Sequence, residues 1–144
     1  ALGLAKIGFK IALIEPFMPV PFESKQPPDI RVSAISLTSE ALLQDLGAWS
    51  HINNMRVCPY KRLSVWDRPS CRTNFDCKAI EQPHLGHIIE NRLVQLGLHA
   101  AISDNQNVVF YEDLQVTDIL STDVSHITLE NGHIIQAKIL IGAD

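Results

Sequence analysis

Residues 1–15 read ALGLAKIGFKIALIE, and this stretch decides the fold. Residues 1–7 carry the apolar spacing of the end of a helix. Gly8 follows as its cap, where a left-handed residue without a Cβ costs little. Ile11, Ala12, Leu13 and Ile14 are continuously apolar, as in a parallel strand covered on both faces, and Glu15 closes the run. Helix, glycine, short buried strand and acid form the second half of a βαβ unit. The expected class is α/β and Rossmann-like.

Beyond this unit, residues 16–28 hold Pro16, Pro19, Pro21, Pro27 and Pro28. Each fixes φ and lacks an N–H, so the stretch is a loop. Residues 29–35 return to an extended segment, and Ser36 or Thr38 can cap a helix over about 39–46 that Gly47 stops. That helix has Ala41, Leu42, Leu43 and Leu46 on its apolar side. Residues 60–67 alternate as a strand, with 72–75 as its partner, and 85–89 form another strand. Residues 91–102 carry helical spacing through Leu93, Leu96 and Ala100. Strands follow at 108–111 and 114–120, and 125–130 and 133–137 flank Asn131-Gly132, a strong hairpin signal. The expected architecture is a parallel sheet of strands 10–15, 107–111 and 138–141, with a β-hairpin layer over 114–137.

Composition excludes several classes. Apolar residues make up 46% and charged residues 19% of the 144, which is globular rather than disordered. The net charge is −4 and the densest basic stretch is Lys61-Arg62, so no nucleic-acid partner is expected. No run approaches the roughly 20 apolar residues that span a bilayer. Residues 1–7 lack a signal peptide's basic start and cleavage site. Cys58, Cys71 and Cys77 are an odd set without C-x-x-C, read as free thiols in a reducing, cytoplasmic compartment. The chain begins inside a helical pattern and stops directly after an apolar run, as if cut at both ends.

Glu15 is the first candidate for chemistry. An acid at the end of the second strand of a nucleotide-binding unit accepts hydrogen bonds from a ribose hydroxyl pair. It would repel a 2′-phosphate, which favours FAD or NAD over NADP. The same residue also reads as a solvated acid at a strand end, and no glycine-rich loop precedes it here. His84 and His87 stand three apart, but the adjacent loop offers no third ligand, so no metal site is expected. Ser33 and Ser36 lack a nucleophile setting, Trp49 and Trp66 read as core, and Asp123 and Glu130 as solvated acids beside the hairpin.

Several segments carry a family resemblance in order. They are ALGLAKIGFKIALIE (1–15), DIRVSAIS (29–36), LGAWSHI (46–52), MRVCPYKRLSVWD (55–67), LGHIIEN (85–91) and IGAD (141–144). Together they resemble the FAD-dependent aromatic hydroxylases of ubiquinone biosynthesis, over nearly the whole chain. PYKRL (59–63) and the proline loop are similar to the bacterial branch acting on a polyprenylated methoxy-benzoquinol. The resemblance implies part of the FAD-binding Rossmann-like domain of a flavoprotein monooxygenase over residues 1–144. It implies FAD as cofactor and NAD(P)H or another electron donor. The implied partners are a polyprenyl-phenol or quinol substrate, a ubiquinone-biosynthesis complex, and peripheral contact with the inner membrane.

The resemblance also implies roles for residues. Arg31 matches a flavin-contacting arginine whose planar fork suits a pyrophosphate or ribose edge, although by composition it is an exposed loop arginine. Asn91 stands where the family often has Arg or Gln facing the ribityl chain, and it also fits a plain N-cap. Val116 falls where a backbone contact to adenine is implied, with its side chain in the core. Asp144 is the third residue of a G-A-D-G motif that supports FAD, or else braces a turn. No catalytic side chain is assigned, because in this family the flavin activates oxygen and the protein orients the ring. Residues 1–144 alone are expected to bind FAD poorly and to lack hydroxylase activity. A dehydrogenase would share Glu15, and an interaction domain would share none of these residues.

Overall fold

The computed structural model describes residues 1–143. Its elements, in chain order, are α1 (Leu2–Lys6), β1 (Ile11–Glu15), β2 (Val32–Ser36), α2 (Leu37–Asp45), α3 (Trp49–Asn53), β3 (Cys58–Tyr60), β4 (Arg62–Arg68), β5 (Cys71–Asp76), β6 (Gly86–Glu90), α4 (Asn91–Ser103), β7 (Val108–Glu112), β8 (Val116–Ser121), β9 (Ser125–Leu129) and β10 (Ile134–Ala137). The chain divides into two compact units, Ala1–Met18 with Ile102–Asp144, and Pro19–Ala101.

In the first unit, β1 and β7 pair in parallel with Ile11 opposite Val108 and Glu15 opposite Glu112. Gly8 adopts φ 94° after α1, as its position required. β8, β9 and β10 form an antiparallel sheet of order β10-β9-β8. Its tight turn uses Gly132 at φ 81°, and the Asn131 side-chain Oδ1 accepts the His133 N–H at 3.0 Å. β9 buries Ile127 and Leu129 at 2% and 1% exposure.

Two expectations fail here. Residues 138–141 form no strand. Ile139, Leu140 and Ile141 are exposed, and no described strand lies alongside them; apolar character cannot make a strand without a hydrogen-bonding neighbour. β1 is also not covered on both faces. Among the described residues only β7 lies beside it, and its residues are half-buried or exposed.

In the second unit, β6 is the central strand of an antiparallel sheet of order β2-β6-β3. α2, α3 and α4 close over it around Leu43, Ala48, Ile52, Ile89 and Leu93. Gly97 allows close approach of α4 to α3, since a Cβ there would run into the Ile52 side chain. The Ser36 hydroxyl caps α2 by accepting the Ser39 N–H at 3.2 Å. Leu43 is buried, but Leu42 is 57% exposed, because one helix cannot turn adjacent residues to the same face. The strand expected at 60–67 is two strands, β3 on the central sheet and β4 in a separate hairpin with β5. Trp66 lies on that hairpin at 58% exposure, stacked under Arg72 rather than in the core.

Candidate functional site

The loop of residues 19–29 is held to the end of β6 by a set of charges. Glu90 follows two isoleucines in β6, and its side chain is only 6% exposed. A buried carboxylate needs partners, and this one has them. Its Oε1 accepts Arg56 Nε at 2.8 Å, and its Oε2 accepts the Asp29 N–H at 2.8 Å. Arg56 also donates to the Gln26 carbonyl at 3.1 Å.

Arg92, in the first turn of α4, forms the second fastening. It donates to both Asp29 carboxylate oxygens at 2.8 and 3.3 Å. Its remaining donor reaches the carbonyls of Val20 and Pro21 at 2.7 and 3.1 Å. The bidentate Arg92 bond holds the Asp29 carboxyl below its ordinary 3.8 against the opposing effect of burial, with the charges of Arg92 and Arg56 adding to the shift. Asp29 in turn raises Arg92.

A depressed carboxyl stabilises the folded state fully above its ordinary pKa, and that contribution is lost as pH falls through the depressed value. Acidification below the ordinary carboxylate range is therefore expected to loosen residues 19–29 before α4. Hydrogen exchange at Gln26 and Leu96 measures this. Equal protection of the two amides on acidification would refute the fastening.

This arrangement sets Arg31 beside Asn91. The Asn91 N–H donates to the Arg31 carbonyl at 3.0 Å, which adds one rung beyond the Val32–Glu90 pair of the β2–β6 ladder. Asn91 Oδ1 accepts the Ser33 hydroxyl at 2.7 Å, so the carbonyl end of the amide is already engaged. The Arg31 guanidinium has no ion-pair partner among the described residues. Both residues line a cleft of about 670 Å³ with Pro27, Pro28, Ile30 and Arg92. The cleft is shallow and open to solvent rather than enclosed. An unpaired cation at the wall of such a cleft fits an anionic or polar ligand edge.

The remaining candidates belong to the first unit. Glu15 ends β1, and its Oε1 accepts the Phe17 N–H at 3.2 Å. Val116 opens β8 at 42% exposure, opposite Leu129, so its side chain is not the core residue expected. Asp144 lies outside the described residues. Sequence reasoning missed Glu90, Arg92 and Arg56. A charged pair at the strand–helix junction of IIENR was the available signal, since an acid that ends an apolar strand beside the buried Ile89 must find a partner. It also missed Glu40, which supplies the third group beside His84 and His87 that the adjacent loop could not.

Among the described residues, no helix is long and apolar enough to cross a membrane. Cys58 and Cys71 are exposed free thiols, and Cys77 is a buried one.

No family model matches the chain. The chain is 38% identical over 149 residues to the 3-demethoxyubiquinol 3-hydroxylase of Escherichia coli K12, covering all of this chain and 37% of that protein. It is 36% identical over 127 residues to human mitochondrial ubiquinone biosynthesis monooxygenase COQ6, covering 79% of this chain and 26% of that one. It therefore spans little more than a third, at most, of the length of these relatives. Among solved structures, the flavin-dependent monooxygenase PieE, in complex with FAD and substrate, matches with a TM-score of 0.65 at 12% identity, over 99% of this chain and 27% of that one. The p-nitrophenol 4-monooxygenase PnpA of Pseudomonas putida matches with a TM-score of 0.62 at 14% identity, over 95% of this chain and 34% of that one. The structural matches establish an α/β fold shared with flavoprotein monooxygenases, and the sequence matches carry the family. The chain belongs to the ubiquinone-biosynthesis hydroxylases.

Proposed function

We propose that the chain is part of an FAD-dependent monooxygenase that hydroxylates the aromatic ring of a polyprenylated ubiquinone precursor, a methoxy-benzoquinol or its close relative. The observation that carries this reading is the Arg31–Asn91 rung beside the cleft, in a chain 38% identical throughout to a ubiquinol-ring hydroxylase. FAD, when bound, supplies the oxygen activation that no side chain can.

The chemistry of the candidate residues suits that cofactor. Glu15 would accept from a ribose hydroxyl pair. Arg31 would donate its planar fork to the pyrophosphate or ribose edge. Asn91 offers an amide donor to the ribityl chain, its carbonyl already engaged by Ser33. Val116 would contribute only backbone to the adenine, and Asp144 would belong to the nucleotide-supporting motif that the family resemblance implies. NAD(P)H or another reductant would serve as the electron donor. A polyprenylated substrate resides in a bilayer, which supports a cytoplasmic protein in peripheral contact with the inner membrane and with other ubiquinone-biosynthesis proteins.

The test is flavin retention by the native protein that carries this chain. A flavin absorption spectrum on purification separates this reading from a nicotinamide-only dehydrogenase and from a non-catalytic domain. Glu15→Gln and Arg31→Ala are each expected to cost about 1.5–3 kcal/mol of FAD binding, roughly tenfold or more in Kd. Full occupancy in both variants at matched free FAD, read from the absorbance ratio, would remove the site assignment.

A further inference from the structure

The geometry points to a three-ligand site for a divalent transition-metal ion of the zinc class, built from Glu40, His84 and His87. The topology creates it. β2 pairs with β6 so that Ser36 lies opposite Gly86 and Ile35 opposite His87. α2 starts directly after Ser36, so Glu40 in its first turn comes back over the start of β6. His84 lies in the loop entering that strand, and His87 is its second residue. A helix, a loop and a strand thus deliver one ligand each to one point.

The distances suit a metal. Glu40 Oε2 stands 3.0 Å from His84 Nε2 and 3.1 Å from His87 Nδ1, and all the donor atoms lie within 4.8 Å of one another. Ligands at about 2.0–2.1 Å from a tetrahedral zinc ion stand roughly 3.3 Å apart, so closing around an ion requires only small movements. The side chains are 12%, 18% and 9% exposed, far from the situation of a solvated surface pair. The carboxylate is also aimed: Gln44 Nε2 donates to Glu40 Oε1 at 3.2 Å, which leaves Oε2 to the imidazoles. Trp49 packs on the His87 ring with centroids 5.1 Å apart, and the imidazoles meet edge to face at 4.4 Å.

Two imidazoles and one carboxylate favour first-row transition metals such as zinc, iron, nickel or copper over magnesium or calcium. The ion would brace α2 against β6 and leave its remaining position to water. This site lies apart from the Arg31–Asn91 cleft and does not depend on the flavin reading.

The test uses the native protein, stripped with a chelator and titrated with Zn²⁺ by calorimetry and with Co²⁺ by visible absorption. One ion per chain is expected, with the ligand-field bands of a nitrogen–oxygen site and a raised Tm. His84→Ala, His87→Ala and Glu40→Gln should each weaken binding about tenfold or more, since even partners that only orient a metal ligand are worth that much. His133→Ala, on the β9–β10 turn, should leave it unchanged. His84→Ala is the variant most certain to fold, being in a loop and the most exposed of the three ligands. Its loss of the Co²⁺ bands with an unchanged far-UV spectrum decides the matter if His87→Ala unfolds. No stoichiometric ion in the wild type, or unchanged binding in His84→Ala, would overturn the proposal. A cluster that takes up only protons across neutral pH would overturn it as well.

Discussion

Gly86→Ala is expected to cost about 3 kcal/mol or more and to loosen the whole β2-β6-β3 sheet. Gly86 holds φ 157° in the middle of that sheet, opposite Ser36 on one side and Tyr60 on the other. A Cβ built there runs into the Ile35 carbonyl oxygen and stands 3.0 Å from the Tyr60 hydroxyl. The obstructing oxygen is backbone within a ladder, so it cannot rotate away as a side chain could. Overpacking costs about 1–3 kcal/mol and a disfavoured backbone a similar amount. Relief would have to come from breaking strand pairing at the start of β6. That strand carries His87, Glu90 and the Arg31–Asn91 rung, so flavin retention should fall with stability. Urea denaturation of the native protein measures the first effect, and the absorbance ratio the second. A loss below about 1 kcal/mol would show that the sheet yields at this point.

Glu90→Ala is expected to be nearly as damaging, at about 3–4 kcal/mol, for an electrostatic reason. Removing one member of a buried pair leaves the other without its compensating charge, which costs more than the pair contributed. Here the alanine leaves the Arg56 guanidinium, 30% exposed, with the Gln26 carbonyl but no counter-charge, and leaves the Asp29 N–H without its acceptor. Glu90→Gln keeps an acceptor for one of them and should cost less, about 1.5–3 kcal/mol. The double-mutant cycle with Arg56→Ala isolates the pair, because the second substitution should cost little once the first is made. Amide exchange at Asp29 should rise sharply in either single variant. Additive losses, or an unchanged Asp29 amide, would mean that residues 19–29 are held by something other than Glu90.

The elements that could be read from sequence are those written in local chemistry. Four consecutive apolar residues at Ile11–Ile14 marked β1, and its parallel pairing with β7 followed from the βαβ order. Asn131-Gly132 marked the β9–β10 turn, because few residues tolerate that backbone. Ser36, one of the two caps expected with Thr38, begins α2 two residues earlier than expected, since a hydroxyl before a helix satisfies an otherwise orphaned N–H. Arg31 and Asn91 were placed individually by family resemblance.

What joined them was the register of β2 on β6, and that is a tertiary fact: a bond between residues 60 positions apart has no local signature. The same limit hid the Glu90–Arg56 and Arg92–Asp29 fastenings and the meeting of Glu40 with His84 and His87, each contributed from a distant segment. It also explains the error at residues 138–141. Their apolar pattern states a preference for burial, but a strand exists only where a neighbouring strand accepts its hydrogen bonds, and none of the described strands does. Sequence alone indicated the family and those elements marked by local signals, such as β1, the start of α2 and the β9–β10 turn. Only the folded chain determined which charges were paired and which side chains met, because those depend on long-range register rather than on neighbours in the chain.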